Sequence, residues 1–167
     1  KATSVKIDFD TKDPIGNLSN FSISDNGEGI ESYNLNQTFG KFLDSQKKKG
    51  EFTRTSYVHG KRGKGRFSFE AFATKATWET VYNDEGKFKE FAVSVEASDK
   101  DFYDPTPVKS SAKKETGTKL TFHNIHSITV EHLNSEDFKN FLRFEYGWFL
   151  HLNKKKKYEI LINGKKL

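Results

Sequence analysis

The chain contains 167 residues, which is enough for one domain with a hydrophobic core of its own. Lysine and arginine (28) outnumber aspartate and glutamate (23), so the formal net charge is +5. No apolar run approaches the roughly 20 residues that a membrane helix needs. The absence of cysteine excludes disulfides and cysteine-ligated zinc, and it fits a reducing compartment. We therefore expect a cytoplasmic protein that does not bind membranes.

The first residues of the chain resemble a segment from within a longer protein sequence. Methionine is absent, including at position 1, and Lys1 is followed almost at once by strand-like sequence. We therefore expect residues 1–167 to be a single domain, truncated at its N-terminal side and followed by further domains in the intact protein.

The first half of the chain predicts two strands and two short helices. Residues 5–9 and 21–24 alternate apolar and polar side chains, which is the pattern of half-buried strands. Turn-forming residues between these strands predict a hairpin. Residues 35–42 have the spacing of a short helix, and residues 67–72 predict another helix directly after a glycine-rich segment.

The second half predicts four more strands, at residues 75–82, 88–97, 119–122 and 158–162. The turn sequence at 83–86 joins the first two of them. Residues 99–117 contain Pro105, Pro107 and a loop rich in serine and lysine. Ser135 predicts the N-cap of a helix that runs to about residue 150. We expect one apolar stripe along this helix, formed by Phe138, Phe141, Leu142, Tyr146 and Phe149.

The order of these elements predicts an α+β protein. The expected architecture is a two-layer α/β sandwich with a mixed, mostly antiparallel sheet and helices on one face. Trp78 and Trp148 both lie in apolar periodic sequence, so we expect both side chains in the core.

The first candidate for a binding site is the segment Asp25-Asn26-Gly27-Glu28-Gly29, at the end of the second predicted strand. An aspartate followed by glycine is often only a turn. A carboxylate at the mouth of a sheet can also accept a hydrogen bond from the exocyclic amine of adenine. Gly27 and Gly29 would let the flat ring approach the backbone. Asp25 is therefore a candidate adenine ligand.

The second candidate is the glycine-rich segment Gly60-Lys61-Arg62-Gly63-Lys64-Gly65-Arg66. A flexible hinge would have a similar composition. A glycine loop that opens into a helix also presents free N–H groups and the positive end of the helix dipole to phosphate, and Lys64 and Arg66 add positive charge. The segment is not a P-loop, because Arg66-Phe67 stands where lysine followed by serine or threonine is required.

The third candidate is Gly117-Thr118, which opens the predicted strand at 119–122. Threonine is common at such positions for its strand preference alone. Its hydroxyl would add a hydrogen bond near adenine if the fold brings it beside Asp25.

In this order, the three segments resemble those of the GHKL ATPases, the superfamily of DNA gyrase, the ninety-kilodalton heat-shock chaperone, sensor histidine kinases and MutL-type mismatch-repair proteins. The resemblance spans the whole chain and favours chaperone-like, MutL-like and MORC-like members over a histidine kinase. It implies the Bergerat ATP-binding fold, with ATP or ADP and Mg²⁺ as ligands.

The resemblance also implies roles for individual residues. Asp25 would recognise adenine with help from Thr118, and Gly27 and Gly29 would shape the adenine pocket. Lys47 lies in a segment similar to the one that precedes the lid, so it would reach a phosphate. The lid over the phosphates would be formed by Gly60, Gly63 and Gly65, with Lys64 and Arg66 adding charge around the anion.

The chain departs from the family pattern at its start. In the family, the helix before the first strand carries a glutamate general base and an asparagine that binds Mg²⁺. Residues 1–7 resemble the stretch just after that helix. No residue of this chain can therefore be assigned as general base or metal ligand, and hydrolysis is expected only of the intact protein.

Two functions remain open at this point. One is an ATP-binding domain whose glycine-rich lid closes on the phosphates and drives a conformational change or homodimerisation. The other is a non-enzymatic basic module with a degenerate pocket that binds DNA or another partner. The lysine runs at 47–49 and 154–157 carry much of the positive charge, and solvated loops explain them more simply than a nucleic-acid footprint does.

Overall fold

The computed structural model describes residues 2–39, 65–153 and 156–167. These residues form one sheet of nine strands, with helices packed on one side of it. The strands are β1 (Ser4–Thr11), β2 (Leu18–Asp25), β3 (Ala73–Asp84), β4 (Lys87–Glu96), β5 (Asp99–Pro105), β6 (Lys109–Ser110), β7 (Gly117–Ile125), β8 (Glu159–Ile162) and β9 (Lys165–Lys166). The predicted α+β fold is confirmed.

The strand order across the sheet is β5-β4-β3-β7-β2-β1-β8-β9, and β6 also pairs with β4. The two predicted hairpins, β1–β2 and β3–β4, are both present. The second hairpin closes at Glu85 and Gly86, whose φ angles of 50° and 87° are those that a tight two-residue turn demands. β1 and β8 are parallel neighbours, which makes the mostly antiparallel sheet a mixed one.

Residues 99–117, for which the sequence predicted a loop and no strand, contain the strands β5 and β6. Within the described ranges, β5 pairs only with β4, so it is an edge strand. Pro105 is its last residue. A proline cannot donate to the hydrogen-bond ladder, but an edge strand tolerates it at its end. The prolines therefore suggested a loop where the chain forms a short edge.

The helices are α1 (Leu35–Phe39), α2 (Val130–Asn134) and α3 (Glu136–Leu152), together with two 3₁₀ helices at Ser32–Asn34 and Gly65–Ala71. Ser135 caps α3 as predicted, since its Oγ accepts a hydrogen bond from the N–H of Phe138 at 3.1 Å. The helix predicted at 67–72 is a 3₁₀ helix rather than an α-helix. In the part of the chain that the structure describes, no helix is both long and apolar enough to cross a membrane.

Side chains on the helix-facing side of β2, β7 and β3 form three cross-strand rows. Residues directly opposite each other in an antiparallel pair point to the same face, so each row crosses all three strands. The polar row contains Asp25, Thr118 and Thr80. The middle row contains Ile23, Leu120 and Trp78. The aromatic row contains Phe21, Phe122 and Ala76.

Aromatic side chains form much of the core between the sheet and the helices. The ring of Phe122 lies 4.8 Å from that of Phe21 and 4.9 Å from that of Phe72. Phe39 of α1 and Phe69 of the second 3₁₀ helix both pack against Trp78, which confirms Trp78 as a core residue. These contacts fasten the helices to the middle and aromatic rows.

Two expectations for α3 were wrong. Trp148 is 75% exposed, and Phe141 is 58% exposed, so neither belongs to the core. The other members of the predicted stripe, Phe138, Leu142, Tyr146 and Phe149, line a cavity beneath the helix. The helix therefore has two apolar sides, and the periodicity of its aromatic residues alone could not assign each one to a side.

Candidate functional site

Asp25 is the last residue of β2 and lies opposite Thr118 of β7. Its Oδ1 accepts a hydrogen bond from the backbone N–H of Gly27 at 2.7 Å. Among the described residues, no donor contacts the other carboxylate oxygen, Oδ2. The carboxylate is thus held at one oxygen by its own turn, while the other can accept a hydrogen bond from a ligand.

Gly27 makes this arrangement of the carboxylate possible. A Cβ at position 27 would lie 2.7 Å from Asp25 Oδ1, which is closer than real Cβ contacts allow. The position that a Cβ would take at Gly27 is therefore occupied by the carboxylate itself. A side chain at this position would push Asp25 out of its turn.

The segment after Asp25 approaches its neighbouring strands very closely. Gly29 has a φ of +78°, and a Cβ there would lie 2.1 Å from the carbonyl oxygen of Val81 in β3. A Cβ at Gly117 would lie 2.3 Å from the carbonyl oxygen of Asp25. Both glycines are needed because backbone packs on backbone at this end of the sheet.

Asn26 joins the same turn to the start of β1. Its Oδ1 accepts hydrogen bonds from the N–H groups of Thr3 and Ser4 at 2.8 and 2.9 Å, and its Nδ2 donates to Thr3 Oγ1 at 2.9 Å. The Ser4 hydroxyl in turn donates to Glu159 of β8 at 3.3 Å. The turn is therefore held in position relative to both β1 and β8.

Thr80 of β3 is a site residue that sequence reasoning missed. It is only 2% exposed, and its Oγ1 accepts a hydrogen bond from the N–H of Ile30 at 2.7 Å. The same oxygen lies 3.3 Å from the carbonyl oxygen of Gly117 and 3.2 Å from Thr118 Oγ1. No local pattern marks Thr80, because its partners are 37 to 50 residues away along the chain.

Tyr82, two residues further along β3, contacts the segment that follows Gly29 at Ser32. Its hydroxyl lies 2.8 Å from Ser32 Oγ, and the residue is 2% exposed. Thr80 and Tyr82 point to the same side of β3, so together they hold residues 30–32 against the sheet.

A polar cavity of about 380 Å³ at this end of the sheet is lined by residues that include Asp25, Gly117 and Thr118. Its lining also includes Ser24, Glu79 and Lys119, whose side chains point to the face opposite the helices. An apolar cavity of about 720 Å³ lies on the helix-facing side, beneath α3, and does not include Asp25 or Thr118. Its lining includes Ile23 and Leu120 of the middle row, so it begins one row away from the polar row.

The carboxylate of Glu31, just after the turn, is partly buried and accepts a hydrogen bond from Asn34 Nδ2. A hydrogen bond with the Glu31 carboxylate raises the pKa of Tyr33 above its ordinary value of 10.0, so this phenol is protonated at neutral pH. In residues 2–39, 65–153 and 156–167, no group of three or more histidine, aspartate or glutamate side chains is placed to hold a metal ion.

The structure brings part of the predicted site together. Four of the predicted residues lie at the polar end of the sheet: Asp25, Gly27, Gly29 and Thr118. Gly65 and Arg66 begin the second 3₁₀ helix. This helix has seven residues. Outside the described residues lie Lys47, Gly60, Gly63 and Lys64.

A family model covers most of the chain. Residues 1–131 match the model for histidine kinase-, DNA gyrase B- and HSP90-like ATPases. The matched region includes the whole polar row. The chain therefore belongs to this family, whose members bind ATP, typically with Mg²⁺, and it is an ATP-binding domain of the ATPase type.

Solved structures share the fold at low sequence identity. The ATPase region of Saccharomyces cerevisiae topoisomerase II superposes with a TM-score of 0.60 at 17% identity, and the same region bound to ICRF-187 (dexrazoxane) gives 0.62 at 17%. The ATPase and transducer domains of DNA topoisomerase II from Balamuthia mandrillaris give 0.62 at 18%. All of this chain is covered in each case, but it spans only 43% of each of those chains. No curated protein sequence matches the chain.

Proposed function

We propose that residues 1–167 form the nucleotide-binding domain of a larger GHKL-type ATPase, and that the intact protein hydrolyses ATP. Asp25 accepts a hydrogen bond from the 6-amino group of adenine through Oδ2. Thr118 assists it, and Gly27 and Gly29 shape the pocket. The phosphates are bound by Lys47, Gly60, Gly63, Lys64, Gly65 and Arg66.

The observation that carries this proposal is that only one of the two carboxylate oxygens of Asp25 accepts a hydrogen bond from the described residues. One oxygen is engaged by Gly27, and the other accepts no hydrogen bond from the described residues. An ionised carboxylate oxygen only accepts hydrogen bonds, so this position favours a ligand with an N–H group. Adenine presents an amine at its 6-position, where guanine presents a carbonyl oxygen that the carboxylate would repel.

Mg²⁺ fits the proposal as a companion of the phosphates rather than as an ion in a protein cage. This ion usually keeps several waters and is held by one or two protein ligands together with substrate phosphates. Once bound, it would neutralise charge on the phosphates. We assign no described residue to it, and we assign no general base.

Closure of the glycine-rich lid over the phosphates would let ATP favour one conformation over another. The same closure would promote contact with a second copy of the protein. Such a switch needs differential contacts in the open and closed states, which the γ-phosphate can supply.

Calorimetric titration of Mg-ATP into the full-length protein tests the proposal. We expect saturable binding to the wild type and binding that is weaker by about 10- to 100-fold in Asp25→Asn, because a hydrogen bond to a charged acceptor contributes about 1.5–3 kcal/mol. Asp10→Asn is the matched control, since Asp10 is an exposed aspartate of the neighbouring strand β1. This variant should bind ATP as the wild type does.

Wild-type protein that fails to bind ATP, or an Asp25→Asn variant that binds normally, would contradict the proposal. The alternative function, a basic module for nucleic acid, is favoured by Lys6, Lys113 and Lys119, which all line the polar cavity. It predicts oligonucleotide binding that weakens steeply with salt and is unchanged in Asp25→Asn.

A further inference from the structure

We propose that Thr80 is a positioning residue that sets the preference of this site for adenine. The inference rests on the proposed ATP-binding function. It assigns part of the selectivity to a strand that contains none of the sequence motifs.

Thr80 has one proton to donate and two acceptors that compete for it. The N–H of Ile30, at 2.7 Å, uses one lone pair of Thr80 Oγ1. The hydroxyl proton can then go either to the carbonyl oxygen of Gly117 at 3.3 Å or to Thr118 Oγ1 at 3.2 Å. Because Thr80 is only 2% exposed, solvent water does not replace these partners.

The acceptor to which Thr80 donates its proton decides whether the Thr118 hydroxyl can donate a hydrogen bond to a ligand. When Thr80 donates to Thr118, the Thr118 hydroxyl is free to donate its own proton into the pocket. When Thr80 donates to Gly117 instead, Thr118 can donate back to Thr80 and offer only lone pairs to the pocket. Thr80 therefore controls whether Thr118 acts as a donor beside the acceptor Asp25.

An acceptor next to a donor complements adenine. Adenine presents an amine donor at the position where guanine presents an oxygen acceptor. The Asp25 carboxylate is acceptor-only when ionised, so it matches the amine. A donating Thr118, opposite Asp25 in the ladder, matches the acceptor nitrogen that neighbours this amine.

Thr80 also fixes the backbone on both sides of the pocket. Its bond to Ile30 holds the residue that directly follows Gly29, and its contact with Gly117 holds the residue that directly precedes Thr118. Loss of the hydroxyl would leave the Ile30 N–H without its partner and would let the Thr118 hydroxyl rotate. Selectivity should therefore fall along with affinity.

The test compares the dissociation constants of Mg-ATP and Mg-GTP in the full-length protein. For Thr80→Val, which keeps the shape of the side chain but removes the hydroxyl, we expect ATP to bind on the order of tenfold more weakly and the preference for ATP over GTP to shrink. Thr80→Ser should restore both quantities, since it keeps the hydroxyl.

Thr77→Val is the matched control on the same strand. Thr77 points to the opposite face of β3, where its hydroxyl lies 3.0 Å from Ser94 Oγ and 3.0 Å from His123 Nε2. Thr77→Val removes a hydroxyl with comparable partners, but it should leave the dissociation constants of Mg-ATP and Mg-GTP unchanged. The effect of Thr80→Val on the preference for ATP over GTP should also disappear in a Thr118→Val background, because Thr80 sets this preference through Thr118.

A folded Thr80→Val variant with wild-type affinity and preference would overturn the inference while leaving the ATP-binding proposal intact. If Thr80→Val does not fold, Thr80→Ala takes its place: a smaller preference for ATP over GTP supports the inference, and wild-type preference overturns it. Failure of the ATP-binding function itself is seen separately, in the wild-type and Asp25→Asn titrations.

Discussion

The polar row and the aromatic row lie on the same face of the same three strands, but they hold the molecule together in different ways. Asp25 and Phe21 are four residues apart in β2, which corresponds to about 13 Å along a strand. The polar row is connected by hydroxyl groups and by backbone packed on backbone. The aromatic row is connected by ring contacts with Phe72.

This difference indicates that stability and ligand recognition are separable in this domain. Buried rings contribute mainly through the apolar area that they remove from water. The polar row buries little apolar surface, and its geometry depends on individual hydrogen bonds and on the absence of side chains at the glycines. A change in the aromatic row should therefore reduce the free energy of unfolding, whereas a change at the polar end should act mainly on nucleotide affinity.

The largest expected effect comes from Phe122→Ala, which breaks the aromatic row. Phe122 is 7% exposed and contacts the rings of Phe21 and Phe72, so truncation should cost about 3–5 kcal/mol of the free energy of unfolding. Urea denaturation measures this loss. ATP affinity, measured where the variant is still folded, should change little.

Phe144→Ala is the matched control for this variant, because Phe144 is 83% exposed on α3. The same chemical change should there cost less than about 0.5 kcal/mol. Similar losses in the two variants would mean that the aromatic row is not the main source of stability.

Compared with Phe122→Ala, Gly29→Ala should reduce the free energy of unfolding less and ATP affinity more. The added Cβ would collide with the carbonyl oxygen of Val81, and position 29 has a positive φ. Gly86→Ala is the control, because Gly86 has a similar φ of +87° with nothing within 4 Å of the added Cβ. Gly86→Ala should cost about 1–2 kcal/mol for the left-handed backbone alone.

Gly29→Ala should cost more than Gly86→Ala in the same urea titration, and only Gly29→Ala should lose ATP binding in calorimetry. Equal stability losses together with normal ATP binding in both variants would show that the close approach of Gly29 to β3 does not shape the site.

The smallest expected effect concerns Glu136, at the start of α3 and away from both rows. Hydrogen bonds from Lys139 and then Arg143 lower the pKa of this carboxyl below its ordinary value of 4.5. A carboxyl whose pKa is lower in the folded protein than in the unfolded chain stabilises the fold at pH values above its unfolded pKa. This stabilisation is lost as the pH falls through its folded pKa. Glu136→Gln should therefore melt slightly lower than the wild type at neutral pH.

Thermal melts across an acidic pH series check this prediction. The difference between Glu136→Gln and the wild type should shrink as the pH falls below about 4.5, the ordinary value for glutamate. A difference that grows on acidification would contradict it. ATP affinity at neutral pH should be the same in both proteins, since this surface pair contacts neither row.

Local sequence patterns predicted the elements whose signals are local. The hairpin turn at 83–86 and the cap at Ser135 each depend on a few adjacent residues, and both were found. The glycines after Asp25 predicted that a flat ligand can approach the backbone. In the structure Gly29 lies against β3, and this partner strand could not be known from the local sequence.

The missed features depend on residues far apart in the chain. Thr80 lies in an ordinary strand sequence, and only the fold brings it to Ile30 and Gly117. Trp148 lies in a periodic aromatic helix, and only the position of α3 on the sheet decides which side is covered. Sequence periodicity reports that a helix has apolar sides, but it does not report which neighbours those sides meet.

The parallel pairing of β1 with β8 has a consequence for how the protein is made. β1 and β2 can pair as soon as the first hairpin leaves the ribosome, because their contacts are local. The other edge of β1 has to wait for residues 159–162, which are synthesised long after β1. The backbone N–H of Glu159 then donates to the carbonyl oxygen of Thr3, whose own N–H donates to Asn26 beside Asp25. The turn that contains Asp25 therefore gains its full support only after β8 has been synthesised.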